Sequence, residues 1–207
     1  INVRQPEAAA HRNADTMGLE DTTILLITMS NFQYLASTLT NENLAAMLNK
    51  YYFYSGKISQ LYNGKVCFCS EDEVLINFSR VEESEEQAFY AVCSAQLFLQ
   101  LFTEINRKNK GISQSKYRLV IHSGNSLSTL YSPITQKMDN LSGETLDIAK
   151  TISKECPSNS ILISEPALMN AGYGTRVEAT EYGSLNESGS LNYFITHYAM
   201  SEYKFLL

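Results

Sequence analysis

Residues 22–32, TTILLITMSNF, form a short apolar run rich in β-branched side chains and bounded by polar residues, which reads as a buried strand. Thr40 or Asn41 can cap a helix, and beyond them Leu44, Met47, Leu48, Tyr51, Ser55, Ile58 and Leu61 recur at helical spacing. Asn63-Gly64 ends that helix, because both residues tolerate the left-handed conformation of a C-cap. KVCFCS and EVLINFS follow as two strands with Glu71, Asp72 and Glu73 at the turn between them. Ser84 and Gln87 make a capping-box pattern, and Glu85 and Glu86 suit the positive end of the next helix. Ala88, Ala91, Val92, Ala95, Phe98, Leu99, Phe102 and Ile105 supply its apolar face, Lys108 and Lys110 complement its dipole, and Gly111 ends it.

YRLVIHSG (117–124) reads as a strand, with NSLSTLYS expected to pair with it as the next. GETLDIAKTISKEC (143–156) predicts a helix with Leu146, Ala149 and Ile152 inward and Pro157 beyond its end. SILIS (160–164) is a short strand, EPALMN a helical turn, and GTRVEAT and LNYFITHY two closing strands. This order of elements predicts an α+β sandwich with helices packed on a sheet.

Composition narrows the function classes. The 207 residues fit one large domain or two small ones, with 44% hydrophobic residues for a core. A net charge of -6 and scattered basic residues give no field for nucleic acid or an anionic membrane. Cys67, Cys69, Cys93 and Cys156 lack the spacing of a zinc site or a disulfide framework, which favours a reducing cytosol. No run of 18 apolar residues occurs, so no membrane span is expected. Residues 1–20 read as a polar linker and 21–207 as the domain. The start lacks both an initiating Met and a signal-peptide core, so the expectation is a piece of a longer protein, preceded by an unseen anchor or sensor.

Taken in order, several segments resemble the catalytic domains of class III nucleotidyl (adenylyl or guanylyl) cyclases. The family's first strand, F-x-D-I-x-x-F-T, is matched by Leu26-Ile27-Thr28-Met29-Ser30-Asn31-Phe32-Gln33. Its Gly, six residues and Gly-Asp are matched by Gly64, six residues and Glu71-Asp72. Val74–Phe78 matches the next apolar strand, and Val120-Ile121-His122-Ser123-Gly124 matches G-I-H-x-G. Residues 143–151 match G-x-x-V-N-x-A-x-R, and Ile161–Ser164 the strand after it. The resemblance covers roughly residues 22–198. It implies a ferredoxin-like βαββαβ core of the nucleotidyl cyclase type with extra C-terminal strands. The related diguanylate cyclases are a weaker fit, since their G-G-D-E-F signature is absent and Ser70–Val74 offers only the acids.

The resemblance also implies where a catalytic site would lie and how it has changed. Two carboxylates normally bridge two divalent ions, which activate the ribose 3′-hydroxyl and stabilise charge on the phosphates. The first of these positions is Thr28, and the second is Asp72. The ribose-orienting Asn and the transition-state Arg correspond to Asp147 and Thr151. The purine-selecting Lys and its partner correspond to Phe68 and Asn140, and the small glycines near the phosphates to Ser128 and Ser132. A hydroxyl cannot replace a bridging carboxylate, and a carboxylate at 147 repels a triphosphate. Each lost electrostatic donor costs about 2.7–4 kcal/mol of transition-state stabilisation.

Thr28, Phe68, Asp72, Asn140, Asp147 and Thr151 are therefore expected to be degenerate family positions, with no catalytic residue, metal or cofactor site. Asp72 reads as a turn acid with local backbone bonds, Glu71 and Glu73 as a solvated face, and His122 as a structural histidine. Cys67 and Cys69 read as strand residues, and Tyr51–Tyr54 as half core and half exposed surface. The expected function is a catalytically inactive regulatory, dimerisation or interaction module in bacterial-type signalling, acting as a homodimer or with another protein. The alternatives are a small-molecule sensor using the relic pocket and a cyclase active only with a complementing chain. A cytoplasmic domain is expected, tethered to the inner membrane through the missing N-terminal part if at all, with no nucleic-acid partner.

Overall fold

The computed structural model describes residues 19–79, 86–109, 113–131, 138–185 and 190–199. Its strands form a single eight-stranded sheet in the order β2-β3-β1-β4-β6-β8-β7, with β5 paired to β4. β1 (Leu19–Met29) runs through the middle, antiparallel to β3 (Glu73–Ser79) on one side and to β4 (Tyr117–Tyr131) on the other. β2 (Lys65–Cys69) closes one edge, while β7 (Val177–Leu185) and β8 (Leu191–Ala199) form a hairpin at the other. β6 (Ser160–Ser164) joins β4 in parallel, as a crossover through α4 (Glu144–Glu155) requires.

Strand alternation sends successive side chains to opposite layers. Leu25, Ile27, Val74, Ile76, Leu119 and Ile121 enter a core with α1 (Phe32–Thr38), α2 (Asn41–Leu61), α3 (Gln87–Lys108) and α5 (Glu165–Ala171). Ile24, Leu26, Leu75, Val120 and Leu162 face the other way, onto Ala149 and Ile152 of α4. α3 is long and apolar enough to cross a membrane by composition, but half of it is buried inside this fold. Its Ala88, Val92, Ala95, Phe98 and Phe102 pack into the helical core.

The structure corrects the expected elements in four places. The first strand ends at Met29, and Phe32–Thr38 is a helix too short for periodicity to reveal, anchored by buried Phe32 and Leu35. NSLSTLYS is no separate strand: residues 117–131 are one long strand, and its hairpin partner is β5 (Met138–Ser142). Gly124, expected to end the first of two strands, continues as extended backbone within the long one, where a Cβ would come within 2.8 Å of Thr145 Oγ1. The N-cap of α3 is Glu86 without a side-chain capping bond, and Glu86 instead forms a bidentate pair with Arg176 at 3.0 and 2.6 Å. Ser84, Lys110 and Gly111 lie outside the described residues. After α2, only Asn63 takes the left-handed conformation (φ 56°). Gly64 is required by space instead, since a Cβ there would lie 2.6 Å from the Phe78 ring.

Candidate functional site

The β1–β3 pairing brings the ends of two sequence-distant segments together. The Met29 N–H donates to the Asp72 carbonyl at 2.7 Å, which fixes the 70–73 turn beside Thr28. Within the turn, the Ser70 N–H donates to Glu73 O at 2.8 Å, and the Ser70 hydroxyl accepts from the Glu73 N–H at 3.3 Å. Two adjacent residues of α2 strap the turn from the helical side. The Tyr51 hydroxyl donates to Ile27 O at 2.8 Å, and the Tyr52 hydroxyl donates to Ser70 O at 2.8 Å. Tyr51 is fully buried, which pushes its phenol well above the usual range. Phe53 and Tyr34 stay exposed on the outer helical surface.

Thr28, Asp72 and Phe68 therefore gather at one end of the sheet, on or beside the face covered by α4. The register places Glu73, Thr28 and Arg118 in one cross-strand row. Directly paired residues point to the same face, so Glu73 rather than Asp72 stands beside Thr28 in the sheet. Glu73 was expected to lie on a solvated face. It is half-buried and lines a cavity of about 130 Å³ with Leu26, Phe68, Leu75, Leu146 and Lys150. The signal for Lys150 was its i, i+4 relation to Leu146, but helical period gives a face and not a neighbour across the sheet.

The Thr28 hydroxyl lies 3.4 Å from Ser153 Oγ on α4. Paired with Thr28 across the sheet stands Arg118, whose Nε is buried and makes no hydrogen bond among the described residues. Among the described residues, Asp72 Oδ1 is approached by Ser70 Oγ at 3.5 Å. Among the described residues, no group of three or more His, Cys, Asp or Glu side chains converges as a metal site. The position that the resemblance assigns to the first bridging carboxylate holds the Thr28 hydroxyl, with the Glu73 carboxylate and the Arg118 guanidinium paired on either side of it.

Asp147 and Thr151 do not join this cluster. They lie one turn apart on α4, away from inward-facing Ala149 and Ile152, and the Thr151 hydroxyl donates to Asp147 O at 2.9 Å. Asn140 pairs with Thr129 in the β4–β5 hairpin, and its side chain, like that of Ser128, lies outside the described residues. Ser132 falls wholly outside them.

His122 is buried, with Nδ1 2.8 Å from Ser164 Oγ, and burial lowers its pKa to about 4. It is neutral at pH 7 and held away from solvent. Burial pushes the thiols of Cys93 and Cys156 up to about 11, so neither is a ready thiolate.

No protein-family model and no curated protein matches the chain. Solved structures do. The guanylyl cyclase Cya2 superposes with a TM-score of 0.80 at 18% identity, over 90% of this chain and 96% of that one. The adenylyl cyclase CyaB from P. aeruginosa gives 0.80 at 17% identity, over 89% and 97%. The dimeric guanylyl cyclase domain of the RhoGC fusion protein from the fungus Blastocladiella emersonii gives 0.74 at 15% identity, over 85% and 96%. The chain thus has the α+β fold of class III nucleotidyl cyclase domains, including the strands added at its C-terminal end.

Proposed function

We propose that this chain is a catalytically silent cyclase-fold domain that acts as a regulatory or interaction module through pairing with a second domain. The observation that carries this reading is the Thr28 environment. The position of a bridging carboxylate holds a hydroxyl that faces Ser153 at 3.4 Å, with Arg118 beside it in the sheet. Asp147 and Thr151 add a repelling charge and a missing cation on α4. These losses act on different steps, so no single substitution restores the chemistry. Pairing is supported by the placement of Thr28 and Asp72 at the strand ends and of Asp147 and Thr151 on the outward side of α4, two halves that do not meet within one chain. The RhoGC guanylyl cyclase domain of the same fold occurs in a non-canonical dimeric form and in monomeric forms, so the fold is compatible with pairing without requiring it. A cytoplasmic location accompanies this proposal.

Calorimetric titration of GTP and ATP into the chain, with and without Mn²⁺, tests it. The reading predicts no nucleotide binding that depends on the metal. A Mn²⁺-dependent complex weakened by Asp72→Asn would overturn it.

The Phe68 cavity favours a second reading, a sensor for a small molecule without turnover. Its walls are mainly apolar, with Glu73 and Lys150 as the charged members. A ligand at about 100 times its Kd would stabilise the fold by roughly 2.7 kcal/mol, which a thermal-shift series detects.

A further inference from the structure

The end of α2 sets an asparagine and a glycine side by side for two separate reasons. The helix closes with a Schellman turn, in which the Gly64 N–H donates back to Ser59 O at 2.8 Å. Such a turn needs a left-handed residue just before the donor, and Asn63 fills that place at φ 56°. Asparagine tolerates this conformation better than most residues that carry a side chain. The next position has no room for a Cβ, which would lie 2.6 Å from the Phe78 ring and 2.9 Å from Ile76. Asn63-Gly64 is the one Asn-Gly pair in the chain.

Such a pair can react with itself. The Gly64 backbone nitrogen attacks Asn63 Cγ, a new C–N bond forms, and the side-chain nitrogen takes up the amide proton and leaves as ammonia. Water then opens the five-membered succinimide at either carbonyl. One opening leaves an aspartate, and the other an isoaspartate whose main chain runs through the former side chain. A Cβ on the following residue would crowd the attacking nitrogen, so glycine is the most permissive neighbour. Among the described residues, the other left-handed asparagine is Asn159, at φ 59°. Its carboxamide oxygen accepts from the Tyr117 N–H at 3.0 Å, and Ser160 follows it. Asn63 is exposed, and its carboxamide makes no hydrogen bond among the described residues.

In the folded chain the attacking nitrogen is engaged, because the Gly64 N–H is held by Ser59 O. We propose that Asn63 is a site of spontaneous succinimide formation, restrained by the α2 C-cap and reached when that turn opens. The rate in the folded chain is then the rate in the unfolded chain multiplied by the fraction of time the turn is open. The isoaspartyl product does not rebuild the turn. It adds a methylene to the backbone joining α2 to β2, beside the tight Gly64–Phe78 contact. It also sets a carboxylate at the C-terminal end of α2, where the helix carbonyls oppose it. None of this depends on whether the chain has cyclase activity.

The test is incubation of the intact chain in weakly alkaline buffer, with and without urea, followed by peptide mapping. Mass spectrometry reads the amide-to-acid mass gain, and methyl uptake with a protein isoaspartyl methyltransferase reads the isoaspartate. Hydrogen exchange of the Gly64 amide in the ¹⁵N-labelled chain gives the open fraction independently, since both reactions remove the same amide proton from the opened turn. Product should gather in the folded chain at Asn63 before any other described asparagine, about tenfold or more slowly than in urea. That slowing should match the Gly64 protection factor within about threefold. Asn63→Gly suits the left-handed conformation and should remove the signal from a folded chain. The proposal is overturned if the folded chain reacts at Asn63 as fast as the unfolded one, or if another described asparagine reacts first. It is equally overturned if the signal survives Asn63→Gly, or if no product forms over a period in which the measured open fraction requires it.

Discussion

His122 is a strand histidine whose charge state is set by its burial. Its imidazole is buried against Ser164 with a pKa lowered to about 4 from 6.5. The unfolded chain therefore binds the proton more readily than the folded one between these values. Stability from this group is complete above pH 6.5 and is lost as pH falls toward 4, by up to about 3 kcal/mol. Urea midpoints at pH 7 and pH 5 should fall accordingly, and His122→Gln should flatten that dependence whatever it costs at neutral pH. At Thr28 the sequence showed the residue type but not its surroundings. Ser153 and Arg118 reach it only through α4 packing and the β1–β4 register, which are contacts between residues about a hundred apart in the chain.

At the level of elements, strong periodicity located α2, α3, α4 and the central strands, because a buried face repeats over several turns or several alternations. The same criterion missed α1, where two buried residues in seven leave no repeat. It also divided β4 after Gly124, since a glycine kept for space and a glycine that ends a strand look alike in sequence. Gly64 tests that distinction. Its backbone is not left-handed, so Gly64→Ala carries no conformational strain but drives a methyl into the Phe78 ring and within 2.9 Å of Ile76. The substitution should cost about 1–3 kcal/mol in a urea melt. Phe78→Leu in the same chain should recover part of that loss, the coupling expected of residues in contact.

For the whole molecule, the order of elements was legible but the sheet order was not. Nothing local places β8 between β6 and β7, or sets α4 alone against one face while four helices cover the other. That uneven cover leaves Phe68 41% exposed beside buried Cys67 and Leu75. If this face pairs with a second domain, Phe68→Glu should raise the dissociation constant of self-association about tenfold or more without unfolding the chain. Sedimentation over a concentration series measures this, and an unchanged constant would place the contact elsewhere. The central claim, that the fold persists without its chemistry, is tested most directly by cyclic-nucleotide formation from ATP and from GTP with Mn²⁺. The purified chain and its Asp72→Asn variant should both give the rate of the protein-free control. A rate above that control which Asp72→Asn abolishes would contradict the account.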